Sequence, residues 1–294
     1  MFDIRDEERP NSQMTVEVRY YTDPACPWSW ANEPQVRRLM WEFGDQLRFT
    51  WVMGGLAREY EPRGEALAEL IVLWLDATAE SGMPIDPRLW SESPIFSTYP
   101  ACQAVKAAAE QGPERAYSYL RRVREGLFLE RRKLDHVEAL VAEAGGAGLD
   151  SERFRVDLSS NAITEAFAED LERVRSIPDD ARAAGAVSRT EGRERLVFPS
   201  TLFLGEGDAR RGVWGRQGYD AYRDAALACG AGPVAERAPE PLEVVERFGR
   251  AATREIEVLS GKPRPVVEAE LWSLAREWRL RPVPVLTGTL WELA

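Results

Sequence analysis

The sequence is poor in the side chains that build most metal sites and many nucleophilic sites. It holds a single histidine, His136, and three cysteines that lie far apart, Cys26, Cys102 and Cys229. These residues cannot supply the ligands of a usual zinc cluster, and a serine hydrolase would have to use His136 without a nucleophile elbow. An odd number of distant cysteines also argues against a disulfide framework, so we expect reduced thiols. A surface or capping role for His136 and a structural role for Cys229 fit this composition.

Long apolar runs and an excess of positive charge are missing as well. The longest apolar stretch, Leu70 to Leu75, is far shorter than the roughly 20 residues of a membrane helix and is typical of a buried helix turn. The polar leader, residues 1–14, has no apolar segment of signal-peptide length, so we expect a cytoplasmic protein with no membrane partner. The net charge of −11 disfavours nucleic acid as a partner, because nonspecific binding depends on Lys and Arg neutralising phosphates.

The first part of the chain has the pattern of a strand, a helix and a second strand. Residues Thr15 to Tyr21 alternate apolar and polar side chains and are rich in β-branched and aromatic types. A turn follows, and apolar residues then recur at helical spacing from Pro27 to Phe43. A second alternating run, Leu47 to Met53, completes a βαβ unit.

The middle of the chain is helical, and strand character returns late. Residues 62–188 show helical periods only, whereas Leu196 to Leu204 and Arg210 to Trp214 form a predicted hairpin that precedes a helix from Tyr219 to Cys229. This order predicts an α/β thioredoxin-like core that is interrupted by an all-helical insertion. Two unrelated domains are the alternative, but they would leave an isolated hairpin, which is marginal in water.

The C-terminal part resembles a small winged-helix-like appendage. Residues 242–259 and 266–280 read as amphipathic helices, and two short strand-like runs follow within 282–293. Glutamates alternate with arginines throughout 240–281, so DNA binding by these helices is disfavoured. The predicted division is a polar leader (1–14), the first part of the core (15–61), the helical insertion (62–188), the second part of the core (189–230), a linker (231–241) and the appendage (242–294).

Cys26 lies where the first strand gives way to a helix. Unpaired backbone N–H groups and the helix dipole at such a position stabilise a thiolate, and in related sites they lower a cysteine pKa from about 8.5 to roughly 3.5–7.5. Pro27 suits the first helical turn because it has no N–H to donate, and Trp28 would flank the sulfur as an apolar wall. A cysteine that only fills space in the core is the competing interpretation.

Three segments carry a resemblance to a known family. They are Tyr21-Thr-Asp-Pro-Ala-Cys-Pro-Trp-Ser-Trp-Ala-Asn-Glu-Pro34, Phe96-Ser-Thr-Tyr-Pro-Ala-Cys-Gln-Ala-Val-Lys-Ala-Ala108 and Val197-Phe-Pro-Ser-Thr-Leu-Phe-Leu204. Together they resemble the DsbA-like thioredoxin-fold family over about residues 15–230, in particular its cytoplasmic FrnE-like branch, which is related to protease-adaptor proteins. The resemblance implies a cis peptide bond before Pro199, facing the reactive Cys26, with the Phe198 backbone available to pair with an extended peptide.

Ser29 departs from the family pattern. The family's oxidoreductases have Cys-x-x-Cys, whose second cysteine resolves the mixed disulfide formed by the first, and Ser29 cannot form that bond. We therefore expect a thiol-disulfide oxidoreductase or isomerase relative that acts as a monothiol through Cys26, without a bound cofactor. An external thiol would resolve the mixed disulfide, either glutathione as a co-substrate or a protein or peptide partner. The candidate catalytic residues are Cys26, Ser29 and Pro199, and the candidate substrate-binding residues are Pro27, Trp28 and Phe198.

Other interpretations of the same residues remain open. A catalytically degenerate thioredoxin-fold adaptor would bind a protein partner and tolerate loss of Cys26, and a buried sulfur would favour it. The glutathione-dependent isomerase branch fits less well, because a serine commonly leads its motif and here Cys26 leads. Cys102 is expected to pack in the core, or to act as a distant resolving thiol if the fold brings it near Cys26. The tryptophans around the proposed site, Trp28, Trp30, Trp41 and Trp51, suggest a surface for a peptide or an aromatic ligand.

Overall fold

The structure, a computed structural model, describes residues 15–190 and 192–294, so the proposed leader lies outside it. The strands are β1 (Val16–Thr22), β2 (Leu47–Met53), β3 (Val187–Thr190), β4 (Arg193–Leu196), β5 (Ser200–Leu204), β6 (Arg210–Val213), β7 (Ala251–Ala252), β8 (Leu280–Val285) and β9 (Gly288–Leu293). The helices are α1 (Pro27–Ala31), α2 (Glu33–Phe43), α3 (Gly64–Ser81), α4 (Leu89–Glu92), α5 (Tyr99–Ala109), α6 (Pro113–Phe128), α7 (Val137–Gly146), α8 (Ser151–Leu158), α9 (Asn161–Arg175), α10 (Asp179–Ala183), α11 (Tyr219–Ala228), α12 (Pro241–Phe248), α13 (Thr253–Ser260) and α14 (Arg264–Arg276), with a 3₁₀ turn at Gly44–Gln46.

A four-stranded sheet in the order β2-β1-β5-β6 forms the centre of the core. Strand β1 pairs in parallel with β2 and antiparallel with β5, which pairs antiparallel with β6. The predicted βαβ unit and late hairpin are therefore parts of one sheet, and the alternative of two unrelated domains is wrong. The insertion separates the two halves in sequence, and α11 follows β6 as expected.

The helix after Cys26 is broken, although the pattern predicts one continuous helix to Phe43. Asn32 separates α1 from α2, and its backbone N–H bonds to the Ser29 carbonyl at 3.2 Å. Pro34 has no N–H with which to continue the helical ladder, and this explains the break. Consequently α1, the helix that follows Cys26, has only five residues.

Eight helices, α3 to α10, fill the predicted insertion. The expectation of an all-helical block to residue 188 is wrong at its end, where β3 begins at Val187 and pairs antiparallel with β4. This hairpin leads directly into the loop that holds Pro199. The predicted strand Leu196–Leu204 is therefore wrong as one strand, because the cis Pro199 loop separates β4 from β5. The strands of the β3–β4 hairpin are only four residues long, which is why alternation along the sequence did not reveal them.

The apolar run in α3 is not a buried helix turn. Val72 is 53% exposed and Leu75 is 40% exposed, while Trp74, Ala77 and Ser81 are the buried residues of the helix. The sequence predicts burial because the run is apolar on all sides, yet only one side of α3 faces the protein. No helix within the described residues is long and apolar enough to span a membrane.

The C-terminal appendage has the element order of a winged helix. Helix α12 is followed by β7, by helices α13 and α14, and by β8 and β9, with the three strands paired in the order β7-β9-β8. The sequence pattern predicts one helix over 242–259, and this prediction is wrong. Gly249 ends α12 at a φ of 77°, which a glycine adopts without the steric cost of a side chain.

Buried ion pairs join the core, the insertion and the appendage. Glu255 of α13 contacts Arg37 of α2 at 3.2 Å and Arg121 of α6 at 2.7 Å, and all three side chains are buried. Glu33 of α2 pairs with Arg124 of α6 and contacts Arg121 at 3.4 Å. Burial acts to raise the pKa of Glu33, but the three arginines outweigh it and hold the pKa below its ordinary value. The three parts are therefore connected by charges that could not be buried singly.

Candidate functional site

A buried carboxylate organises the turn before Cys26. Asp23 follows β1, and its side chain accepts hydrogen bonds from the backbone N–H groups of Ala25 at 2.8 Å and Leu56 at 2.6 Å. These bonds hold the turn against the segment after β2. The position of Cys26 at the start of α1 follows from them.

The same carboxylate binds two side chains of the insertion. Thr98 Oγ1 donates to Asp23 Oδ2 at 2.8 Å, and Cys102 Sγ donates to it at 3.3 Å. Burial raises the pKa of Asp23 even though the four donors act to lower it. Asp23 and Thr98 are site residues that the sequence pattern does not single out, and the Asp23-Pro24 turn beside Cys26 is the sequence signal that could have led to Asp23.

The sulfur of Cys26 is enclosed by the protein. Cys26 is the N-cap residue of α1, is only 3% exposed, and lies with its Sγ 3.9 Å from the Phe198 carbonyl oxygen. Its apolar cluster contains residues of the sheet and of the segments around α10 and the β3–β4 hairpin, including Leu196 and Trp214. A disulfide substrate would have to displace part of this covering to reach the sulfur.

The Cys26 thiol has the opposite pKa shift from the one expected at a helix start. Burial raises its pKa and the Asp23 carboxylate acts in the same direction, while Ser29 and the Arg195 guanidinium act to lower it. The expectation of a lowered pKa is therefore wrong for this structure. It assumed a long helix and an open sulfur, whereas α1 has five residues and the sulfur is desolvated.

Ser29 and Pro199 lie at the site, as the resemblance implies. The Phe198–Pro199 peptide bond is cis, and the Phe198 carbonyl faces Cys26. Ser29 is fully buried beside the Cys26 thiol, whose pKa it acts to lower. The geometry thus brings the three candidate catalytic residues together without assigning a reaction to them.

The candidate substrate-binding residues are less available than expected. Pro27 is buried, and so is Phe198, because its ring fills the space that a side chain at Gly54 would need. Trp28 is half-buried, with the Arg216 guanidinium 5.3 Å from its ring centroid. Of the three residues, Trp28 therefore offers the largest accessible side-chain surface.

The other tryptophans do not form a surface at this site. Trp30 and Trp51 are buried in the main core cluster, and Trp30 donates its indole N–H to the Pro84 carbonyl at 2.9 Å. Trp41 lies near the far end of α2, where it donates to the Arg237 carbonyl at 3.1 Å. The predicted aromatic surface thus reduces to Trp28.

Arg195 is a further site residue that the sequence pattern does not single out. Its guanidinium lies 4.3 Å from the Phe198 ring centroid and donates to Thr190 Oγ1 at 2.8 Å and to the Leu196 carbonyl at 2.7 Å. Arg195 forms no ion pair with a carboxylate among residues 15–190 and 192–294, and burial lowers its pKa. It helps to close the site over Phe198.

The remaining candidates have structural positions. Cys102 is buried against Asp23, and Cys229 is buried with its Sγ 3.5 Å from the Phe203 carbonyl oxygen, so both occupy core positions as expected. All three cysteines are free. His136 lies at the surface before α7 without a capping hydrogen bond. Within the described part of the chain, no group of three or more Cys, His, Asp or Glu side chains could hold a metal ion.

Comparison with known proteins adds a family and two groups of similar proteins. The Thioredoxin_5 family, described as Thioredoxin, matches residues 20–177. The ClpXP adapter protein SpxH of Halalkalibacterium halodurans is 27% identical over 98% of this chain and 92% of its own length. SpxH of Bacillus subtilis is 29% identical over 94% of this chain and 89% of its own.

The solved structures similar in fold carry other names. A putative protein disulfide isomerase from Nitrosomonas europaea has a TM-score of 0.59 and 20% identity, and it covers 72% of this chain and 95% of its own. The cytosolic disulfide reductase DsbM of Pseudomonas aeruginosa, solved with GSH, has a TM-score of 0.52 and 18% identity, over 72% of this chain and 96% of its own. At these identities the two structures support the fold alone.

Proposed function

The chain belongs to the DsbA-like thioredoxin family, and on this premise we propose that it is a catalytically degenerate thioredoxin-fold adaptor that binds ClpXP and a second protein partner. The relatives that align with nearly its whole length are named ClpXP adapters. The proposal assigns the thioredoxin fold a binding role. Thiol chemistry is not required for this role.

The burial of the Cys26 sulfur is the observation that carries the proposal. Thiol-disulfide exchange needs a thiolate that can approach a disulfide sulfur, and its rate depends on the thiolate fraction and on access. Cys26 is 3% exposed and its pKa is raised, so both requirements are poorly met. Ser29 in the second position of the motif also leaves the site without the family's resolving thiol.

An accessible apolar surface near the site supports a binding role. Val72 and Leu75 on α3 are exposed, and Glu80 of the same helix pairs with Arg216, which lies over the Trp28 ring. Clustered exposed apolar side chains are typical of protein-binding surfaces. We propose this face of α3, together with Trp28, as the surface for the second partner.

A monothiol oxidoreductase or isomerase is the second candidate function. It requires Cys26 to form a mixed disulfide and an external thiol, with glutathione as the co-substrate, to resolve it. A local opening that exposes the sulfur would be needed first. The cytoplasmic location predicted from the sequence suits both functions and remains part of the proposal.

The test measures binding and turnover on the same preparations. Affinity for immobilised ClpXP is determined for the wild-type chain and for Cys26→Ala, and the reduction of a small disulfide by glutathione is followed with each protein. An adaptor binds ClpXP equally well with either residue, and neither protein accelerates the reduction. Ser29→Cys serves as the control that restores the Cys-x-x-Cys pattern without changing the binding surfaces.

Turnover that depends on Cys26, without measurable affinity for ClpXP, would contradict the proposed function and favour the monothiol enzyme.

A further inference from the structure

The appendage presents an unusually exposed tryptophan just after α14. Trp278 is 86% exposed, the highest value among the exposed large apolar side chains of the described residues. A solvent-exposed indole gains almost nothing from the fold, because the apolar area that it removes from water is small. Its presence therefore needs a reason other than packing.

The backbone at Trp278 is in a conformation that suits glycine. Its φ is 57°, and it occupies the left-handed position after α14, with its N–H bonded to the Ala275 carbonyl at 3.1 Å. The next N–H, that of Arg279, bonds to the Leu274 carbonyl at 3.0 Å, so the two bonds form a Schellman motif. Glycine is the usual residue here, and a bulky side chain at positive φ is strained. The fold would be served better by glycine than by tryptophan.

The residues around Trp278 make the patch locally positive. Arg276 and Arg279 are exposed and form no ion pair with any described residue, whereas Glu277 is the single acidic residue between them. The chain as a whole carries a net charge of −11. An exposed indole that is flanked in sequence by two arginines without an ion pair to any described residue is therefore complementary to an apolar pocket with carboxylates on its rim. Tryptophan and arginine are residues enriched in binding hot spots.

The comparisons point to the partner that this patch fits. The two solved structures named disulfide isomerase and disulfide reductase align over 95–96% of their own length but over only 72% of this chain. More than a quarter of this chain therefore has no counterpart in them. The relatives named ClpXP adapters align with 94–98% of this chain. The length that separates the two groups is sufficient to contain the appendage, residues 242–294.

We propose that Trp278, flanked by Arg276 and Arg279, is the main contact through which the appendage docks onto ClpXP, in an apolar pocket rimmed by carboxylates. The inference rests on the proposed adaptor function and adds the surface and its chemistry. The apolar face of α3 remains free for the second partner. Binding through the Trp278 patch is driven by burial of the indole and oriented by the two arginines.

The test compares the affinity of purified ClpXP for full-length variants with their thermal unfolding. Trp278→Gly removes the indole and relieves the left-handed strain, so we expect affinity to fall at least about tenfold while the unfolding temperature stays the same or rises by about 2–4 °C. Arg279→Glu should lower the affinity and weaken its dependence on salt. Val156→Ser is the matched control, because Val156 is an exposed apolar residue of α8, and it should leave the affinity unchanged.

The outcomes separate this inference from the function on which it rests. If the wild-type chain does not bind ClpXP, the adaptor function fails and the docking site fails with it. If the wild-type chain binds but Trp278→Gly binds within twofold of it, only the docking site is overturned. Binding of duplex DNA by the wild-type chain that is lost in Trp278→Gly, with ClpXP binding unchanged, would likewise overturn it.

Discussion

At the scale of single residues, one carboxylate explains much of the site. Asp23 fixes the turn that positions Cys26 and accepts a hydrogen bond from the Cys102 thiol of the insertion. The sequence predicts Cys26 at a helix start and, through the resemblance, a cis Pro199, and the structure has both. It could not predict the desolvation of the sulfur, because this depends on Phe198 and on a hairpin about 170 residues away that covers the site.

The raised pKa of Cys26 gives a pH-dependent prediction. A thiol whose folded-state pKa is raised has less thiolate at neutral pH, so alkylation of native Cys26 by iodoacetamide should be at least about tenfold slower than after unfolding in urea. The midpoint of the native rate profile should lie at higher pH than that of the unfolded chain. Peptide mass spectrometry resolves Cys26 from the other two cysteines. A rate profile whose midpoint lies at lower pH for the native chain than for the unfolded chain would contradict this prediction and show that the fold activates the Cys26 thiol.

At the scale of elements, errors of prediction occur where local pattern and tertiary context disagree. Strands β1, β2 and β6 and the last hairpin follow their alternation and are predicted closely, whereas the predicted strand Leu196–Leu204 is divided by the loop that holds Pro199. The helices interrupted at Asn32 and Gly249 are not, because apolar periodicity continues across a single backbone break. The burial of the apolar run in α3 is predicted wrongly for another reason. Composition does not distinguish a buried helix from a helix whose exposed face is apolar.

The exposed face of α3 leads to a stability prediction. Val72→Ser should change the free energy of unfolding by no more than about 0.5 kcal/mol, because Val72 is 53% exposed. Trp74→Ala, two residues away and 1% exposed, should destabilise the protein by about 3–5 kcal/mol. Urea unfolding monitored by circular dichroism measures both. Comparable losses from the two substitutions would show that the Val72 face is covered in the folded protein.

At the scale of the whole molecule, the buried ion pairs connect three parts that the sequence shows as separate segments. The thioredoxin-like core, its helical insertion and the appendage with winged-helix order could be predicted from the order of their elements. Their junction could not, because Glu255, Arg37 and Arg121 lie on helices far apart in sequence and each looks like an ordinary surface charge of an amphipathic helix. The result is an appendage held against α2 and α6.

The junction can be tested with one isosteric substitution. Glu255→Gln leaves Arg37 and Arg121 buried without their shared carboxylate, so we expect a loss of about 3 kcal/mol in the free energy of unfolding. Glu268→Gln is the control, because Glu268 forms an exposed pair with Arg264 and should cost no more than about 0.5 kcal/mol. Equal effects of the two substitutions in urea unfolding would argue that the junction contributes little to stability.

The function proposed for this thioredoxin-family protein is ClpXP binding that does not depend on its Cys26 thiol. The most direct measurement is the ratio of the ClpXP affinities of Cys26→Ala and the wild-type chain, determined with and without dithiothreitol. We expect a ratio close to one under both conditions, because the Cys26 sulfur is buried and lies outside the proposed contact. A wild-type affinity that is lost both in Cys26→Ala and on addition of dithiothreitol would contradict the proposed function and identify Cys26 as the working group.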